Sequence, residues 1–151
     1  MKYFLLIYLF FLSINLEAII YPITPKYASL KKEKTFARFN ASFDADVKFI
    51  YKKKNLPVLI INEKDNWRKI VDIDNQWGWV HISMISNKKT FINQKKQNLL
   101  KYKDNSEIIT AIVNDRVIGK IIRCEEKFCK VKINYFKGWI EKKYLWGIKK
   151  N

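Results

Sequence analysis

The sequence has very few of the residues that hydrolases use for catalysis. It contains one histidine, His81, and two cysteines, Cys124 and Cys129. His81 belongs to the first half of the chain and both cysteines to the second, so no cysteine–histidine catalytic pair is indicated. A phosphate-binding loop, a dinucleotide fingerprint and a cluster of metal ligands are also missing. We therefore expect no catalytic residues, no cofactor and no metal.

The carboxylates do not form a convincing catalytic group either. Asp72 and Asp74, like Glu125 and Glu126, fall in predicted turns, where charged side chains are ordinarily solvated. His81 follows Gly-Trp-Val on a predicted strand, and we expect it to be a surface or hydrogen-bonding residue.

Arginine is scarce as well, although the chain is strongly basic. The formal net charge is +16, and the 30 basic residues comprise four arginines and 26 lysines. A balance this basic favours an anionic partner such as nucleic acid, an acidic polymer or lipid headgroups. Specific nucleic-acid sites tend to use the bidentate arginine fork, and a lysine-rich composition also follows from an AT-rich coding sequence. Nucleic acid is therefore the least favoured of these partners.

The N-terminal residues are typical of a secretory signal peptide. Lys2 supplies one positive charge, residues 3–12 are almost entirely apolar, and Ala18 is a small residue at a plausible cleavage point. The apolar run is shorter than the roughly 20 residues that a membrane-spanning helix needs. We predict that residues 1–18 are a signal peptide and that the remainder is exported to the periplasm or cell envelope, with an uncleaved N-terminal anchor as the alternative.

Beyond the signal peptide the chain is predicted to consist of short strands. Residues 19–35 are irregular and are interpreted as a linker or extended arm. The strand candidates are residues 47–51, 57–63, 67–73 and 77–82, which are separated by turns rich in Asn, Asp and Lys. Period-two runs with this spacing indicate a small all-β sandwich or barrel.

The second half of the chain repeats the plan of the first. Gly78-Trp79-Val80 has a counterpart in Gly138-Trp139-Ile140. The other matched segments are residues 67–70 with 128–131, 57–61 with 117–121, and 47–51 with 109–113. We therefore predict two copies of one module, residues 36–92 and 97–148, joined at residues 93–97.

The repeated segments resemble bacterial SH3-like (SH3b) domains. The resemblance is carried by residues 51–58, 65–70 and 78–81 in the first half and by residues 117–120, 124, 128–131, 138–139 and 145–147 in the second. The glycine- and proline-containing segment that usually opens such a repeat is replaced by residues 37–43, which contain neither. The resemblance implies an all-β chain of two tandem SH3-like β-barrels in an exported protein.

The resemblance also implies a set of structural residues and a binding role. We expect Gly78, Trp79, Gly138, Trp139, Trp67 and Phe128 to be structural, with one Trp filling much of each core. Members of this family are regarded as cell-wall or peptide-targeting modules, so the expected partner is a cell-wall or protein/peptide ligand of the envelope. The candidate ligand-binding residues are Trp77, Tyr51, Tyr135 and Phe136.

Two other functions remain open at this point. One is a structural or assembly protein of the envelope that docks by its tandem barrels, and the other is a basic nucleic-acid-binding SH3-like protein. The lysine-rich surface would add attraction to anionic polymers or lipid headgroups.

The two cysteines are predicted to form a local disulfide in this exported context. Residues 121–124 end one strand candidate and residues 128–131 begin the next, and the four residues between Cys124 and Cys129 suit a tight hairpin connection. The two cysteines would then lie nearly opposite each other on antiparallel strands. The alternative is two buried free thiols.

Overall fold

A computed structural model describes residues 23–149 of the chain. The predicted signal peptide, residues 1–18, lies outside these residues. Residues 23–149 form fourteen β-strands and two single-turn 3-10 helices, organised as two separate seven-stranded antiparallel sheets. No helix within residues 23–149 is long and apolar enough to cross a membrane. The expected all-β class, two tandem small β-domains, is confirmed.

Unit 1 comprises residues 26–86 and contains the first sheet. Its elements are β1 (Lys26–Leu30), β2 (Thr35–Arg38), β3 (Val47–Tyr51), β4 (Pro57–Lys64), β5 (Trp67–Val71), β6 (Trp77–His81), a 3-10 helix (Ile82–Met84) and β7 (Ile85–Ser86). The strand order is β3-β2-β6-β5-β4-β1-β7. Leu30 of β1 and Tyr51 of β3 pack in one hydrophobic core although their strands lie far apart in this order. The sheet therefore curls around a single core, as in a small barrel.

Unit 2 comprises residues 90–146 and repeats this arrangement. Its elements are β8 (Thr90–Asn93), β9 (Gln97–Tyr102), β10 (Asn105–Val113), β11 (Ile118–Cys124), β12 (Phe128–Ile133), β13 (Phe136–Glu141), a 3-10 helix (Lys142–Tyr144) and β14 (Leu145–Trp146). The strand order, β10-β9-β13-β12-β11-β8-β14, is that of unit 1 strand for strand.

The residue pairing within the sheets confirms that the two Gly-Trp dipeptides are equivalent. Trp79 lies opposite Lys69 on β5, and Trp139 lies opposite Lys130 on β12. The predicted match of residues 67–70 with 128–131 has the observed register as well. The predicted match of residues 57–61 with 117–121 is wrong by one residue, because Ile60 pairs with Ile70 and Ile121 pairs with Val131, which makes Ile60 and Ile121 equivalent.

Two of the predicted boundaries are wrong. Residues 26–30 of the expected linker are strand β1, which pairs with β4 and β7 and buries Leu30 in the core. Residues 90–92, assigned to the first barrel, and Asn93, assigned to the join, are strand β8 of unit 2, which pairs with β11 and β14. Both strands are short, and their strand character comes from these distant partners.

The glycine of each Gly-Trp dipeptide allows a close approach between strands. A Cβ on Gly138 would lie 2.6 Å from the Leu100 carbonyl oxygen, and one on Gly78 would lie 2.8 Å from the Cβ of Ala37. Real Cβ atoms do not approach other atoms this closely, so a side chain at either position would push neighbouring strands apart. Gly78 and Gly138 are structural for this reason.

The two tryptophans, in contrast, do not fill the barrel cores. Val80 and Ile140 are fully buried in the interior, and alternation along the strand therefore places Trp79 and Trp139 on the outer face. Trp139 is nevertheless buried, with only 6% of its surface exposed, because the Arg123 guanidinium lies 5.0 Å from the centre of its ring and lysine side chains lie nearby. Trp79 is only partly buried. The prediction of one core Trp per module is wrong, and both cores are mainly aliphatic.

Candidate functional site

The outer face of unit 1 carries a cluster of exposed aromatic rings. Phe36 on β2 is 41% exposed, Phe39 just after β2 is 48% exposed, and Trp77 on β6 is 36% exposed. Strands β2, β3 and β6 are close neighbours in the sheet, so residues that alternate with the core residues share one surface. We call this surface the aromatic–lysine face, and it comprises Phe36, Phe39, Lys48, Lys69, Trp77 and Trp79.

Lysine ammonium groups lie over the rings of this face. The Nζ atom of Lys48 is 3.4 Å from the centre of the Trp77 ring, and that of Lys69 is 4.4 Å from it. Lys48 also lies 5.6 Å from the ring centre of Phe39. Cations are attracted to the negative face of an aromatic ring, which holds both ammonium groups beside an exposed indole. The face therefore offers apolar ring surface and positive charge to the same ligand.

Unit 2 shows that the fold does not require these rings. Phe36 lies opposite Ile50, and the equivalent pair in unit 2 is Asn98 with Ile112. By the same register, the position equivalent to Trp77 is Lys137. One barrel is thus built with aromatic residues at these two positions and the other with polar ones. Because the barrel forms without rings at these positions, the exposed rings of unit 1 are candidates for contact with a ligand.

Tyr51 is not part of an accessible surface, so its assignment as a ligand-binding residue is wrong. Its side chain is only 8% exposed, packs in the core of unit 1 and donates a hydrogen bond to Asp72 Oδ2 at 3.1 Å. Burial raises the pKa of Tyr51 above its usual range, and the negative charge of Asp72 raises it further. Asp72 itself is buried and accepts hydrogen bonds from the backbone N–H groups of Asp74 and Gln76, so it holds the β5–β6 turn.

Tyr135 and Phe136 are exposed but do not recreate the face of unit 1. Tyr135 is 96% exposed in the turn before β13, and Phe136 is about half exposed at the start of that strand. The pairing of β12 with β13 makes Lys137, not either ring, the counterpart of Trp77. Only Trp77 among the four sequence-based candidates belongs to the aromatic–lysine face.

Trp67 and Phe128 occupy equivalent positions but differ in their surroundings. Trp67 is buried because the ring of Phe43 packs edge-on against it at 4.9 Å and also lies 5.1 Å from His81. Phe43 belongs to the loop of residues 39–46, which Arg38 anchors through a 2.6 Å hydrogen bond to the Ala45 carbonyl. Phe128 is only half-buried.

His81 has a structural role. Its Nδ1 atom accepts a hydrogen bond from the backbone N–H of Ser83 and lies 2.8 Å from the Ser83 hydroxyl, so it caps the first 3-10 helix. The expectation of a hydrogen-bonding histidine is confirmed. Within residues 23–149 no three His, Cys, Asp or Glu side chains are grouped as metal ligands would be.

The predicted disulfide is present. Cys124 and Cys129 lie directly opposite each other on β11 and β12, with their Cα atoms 4.0 Å apart and their sulfurs bonded. The Glu125 N–H donates to the Phe128 carbonyl and closes the hairpin turn. The bridge links the two strands of one hairpin of unit 2, whereas the aromatic–lysine face belongs to unit 1.

Sequence reasoning missed several residues of the candidate site, namely Phe36, Phe39, Lys48 and Lys69. Phe36 lies between Thr35 and Ala37, which are both fully buried, and this alternation is a usable strand signal. The positions of the lysines over the rings depend on strand pairing and have no local signal.

The fold and the site define a pair of small β-barrels that carry an aromatic and cationic surface. The sequence model of the bacterial SH3 domain matches residues 31–87 and 97–147, which together cover most of the chain. The chain belongs to the bacterial SH3 domain family. Domains of this family are binding modules.

Two solved structures are similar to the chain, NlpC2 and NlpC1 from Trichomonas vaginalis. Both are 13% identical to it with a TM-score of 0.38, and the matches cover 82% and 81% of this chain. They cover 48% and 45% of the NlpC chains, so this chain spans less than half the length of either protein. No curated protein matches the sequence.

Proposed function

We propose that the protein is an exported, non-catalytic binding module that attaches to a ligand of the cell envelope through the aromatic–lysine face of unit 1. The observation that carries this proposal is the difference between the repeats at equivalent positions. Unit 1 has Phe36 and Trp77 where unit 2 has Asn98 and Lys137. Exposed rings that the barrel does not need are best explained by contact with a partner.

The chemistry of the face indicates which envelope ligand to test first. An exposed Trp ring stacks on the apolar face of a sugar or on a flat peptide group, and an adjacent ammonium group binds a carboxylate. Peptidoglycan offers sugar rings and carboxylate-bearing peptides close together. The lysines Lys48 and Lys69 lie beside the Trp77 ring, where they can reach a carboxylate of a stacked ligand. Peptidoglycan is therefore the ligand that we propose.

The test is cosedimentation of the purified protein with cell-wall sacculi. We expect the wild-type protein to pellet with sacculi and Trp77→Ala to bind about tenfold more weakly, since it removes the central ring. Tyr102→Ala is the matched control, because Tyr102 is an exposed ring with the Lys101 ammonium group 5.4 Å from its centre, but it lies in unit 2. The control should bind as the wild type does.

The competing outcomes separate the other functions. An envelope assembly protein that docks by its barrels would remain in the supernatant with sacculi and associate only with another protein. Tyr135→Ala with Phe136→Ala tests the second surface predicted from the sequence, and a loss confined to this pair would move the site to unit 2. Fractionation of cells that express the full chain tests export. The proposal requires that the protein is found outside the cytoplasmic fraction.

A further inference from the structure

A concave surface lies on unit 2, whereas the aromatic–lysine face belongs to unit 1. It is a groove of about 420 Å³ between the start of β9, the start of β10 and the second 3-10 helix. Its apolar lining comes from Leu100, Phe128 and Tyr144, and its polar lining includes Lys95, Lys96 and Ser106.

The equivalent place in unit 1 holds an aromatic side chain. Phe128 lies opposite Glu141 in unit 2 as Trp67 lies opposite His81 in unit 1. The ring of Phe43 packs on both residues of the unit 1 pair, 4.9 Å from Trp67 and 5.1 Å from His81. Unit 1 thus covers this part of its outer face with a ring from its own chain.

Unit 2 has as many residues at this place but no loop. In unit 1 the eight residues 39–46 between Arg38 and Val47 form a loop, whereas in unit 2 the eight residues 101–108 between the equivalent Leu100 and Ile109 extend strands β9 and β10 and turn at Lys103 and Asp104. The short turn brings no aromatic ring over Phe128, which is accordingly only half-buried, and the groove beside it is open.

The floor of the groove is held in place before any ligand arrives. The Gln97 side chain donates a 2.7 Å hydrogen bond to Asn93 Oδ1 and accepts a 2.8 Å hydrogen bond from the Glu141 backbone N–H. These bonds join β8, β9 and β13 behind the groove. A preformed groove binds its ligand with a smaller entropic cost than one that must first be ordered.

The rim of the groove is positively charged. Lys95 and Lys96 are exposed at its edge, and the carboxylate of Glu141, the acidic residue in the lining, is paired with the Lys143 ammonium group. Cations at a rim attract a ligand that carries carboxylates next to its apolar anchor. The internal occupant of unit 1 has this pattern, because Phe43 is followed by Asp44 and then by a second aspartate at position 46.

We infer that the groove of unit 2 binds a peptide segment of a partner protein that presents an aromatic side chain followed by carboxylates. The aromatic ring lies against Phe128 and Tyr144, and the carboxylates face Lys95 and Lys96. The inference rests on the comparison of the two units and not on the proposed function, which uses a different surface.

The experiment is an NMR titration of the full ¹⁵N-labelled chain with a synthetic peptide that copies residues 40–46, Asn-Ala-Ser-Phe-Asp-Ala-Asp, capped at both ends. We expect shifts at the amides of Leu100, Phe128 and Tyr144. The same peptide with alanine in place of phenylalanine should bind at least about tenfold more weakly, since it lacks the buried ring.

Charge variants separate this groove from general attraction to a basic protein. The double variant Lys95→Glu with Lys96→Glu should weaken peptide binding about fivefold. The matched control, Lys52→Glu with Lys53→Glu, makes the same change of charge at exposed positions of unit 1 and should leave the affinity unchanged. The inference is overturned by an absence of shifts at millimolar peptide, by shifts confined to unit 1, or by equal binding of the alanine peptide.

Discussion

Two tryptophans at equivalent positions of the repeat differ in how far water reaches their rings. Trp139 is nearly buried beneath Lys103, Arg123 and Lys130, whose charged groups lie within 5.0 to 6.0 Å of its ring centre. Trp79 has a similar backbone environment but remains partly exposed beside Trp77. The same residue therefore contributes to stability in one unit and to the surface in the other.

We predict that Trp139→Ala lowers the free energy of unfolding by about 3 kcal/mol, in the range found when a buried aromatic side chain is truncated. Trp79→Ala should cost only about 1 kcal/mol, because its ring is less buried than that of Trp139. Urea unfolding followed by circular dichroism measures both values. Equal losses for the two variants would show that exposure in the folded protein does not govern their contributions.

The hairpin of β11 and β12 differs in chemistry from its counterpart in unit 1. Cys129 is fully buried at the position that Arg68 occupies in unit 1, and its bond to Cys124 joins the ends of the two strands. An ion pair between Lys103 and Glu125 connects the tip of this hairpin to the β9–β10 turn. Since unit 1 folds the same way without a bridge, the disulfide adds stability to a fold that does not depend on it.

We predict that reduction of the disulfide lowers the stability of unit 2 by about 2 kcal/mol. The loss is modest because the disulfide closes a short loop, so breaking it returns little conformational entropy to the unfolded chain. Urea unfolding with and without dithiothreitol measures the change. The variant Cys124→Ser with Cys129→Ser should show no response to dithiothreitol. Alkylation of the unreduced protein at both cysteines, detected by mass spectrometry, would contradict the bridge.

The two units contact each other through a small set of side chains. Arg116 of unit 2 donates two hydrogen bonds to the carboxylate of Asp74 in unit 1, at 2.7 and 3.0 Å. The rings of Tyr27 and Trp146 meet edge to face at 5.3 Å, and Gly147 lies close to Pro57. These contacts set the orientation of the aromatic–lysine face relative to the groove of unit 2.

The ion pair between the units depends on pH. Its hydrogen bonds from Arg116 hold the pKa of Asp74 below the ordinary value of 3.8. The pair is therefore intact at and above pH 3.8, and it is lost as the pH falls through the lower pKa of the folded protein.

We predict that Asp74→Asn lets the two units reorient more independently at neutral pH, as acidification does in the wild-type protein. Residual dipolar couplings or small-angle X-ray scattering measure the change. Glu63→Gln is the matched control, because Glu63 pairs with Lys26 and Arg68 within unit 1 and its pKa is also lowered. If the units of the Asp74→Asn variant keep their wild-type orientation, the contact between Tyr27 and Trp146, and not the ion pair, holds the units together.

The features that the sequence by itself determined are those that depend on local pattern and on repetition. Alternating runs between polar turns identify strands, since the side-chain period of two is a property of the strand alone. The paired Gly-Trp dipeptides predicted the equivalence of β6 and β13, and the spacing of Cys124 and Cys129 predicted their pairing across a hairpin. Strand β1 was missed because its five residues become a strand through pairing with β4 and β7.

Only the tertiary structure decided which face of each strand lies inside and what covers the other face. Alternation divides a strand into two faces without stating which one is buried. Val80 and Ile140, which follow the two tryptophans, are the residues that pack in the cores, so Trp79 and Trp139 lie on the outer face. In unit 1 the ring of Phe43 covers Trp67, although the two residues are 24 positions apart. No pattern along the chain encodes such a contact.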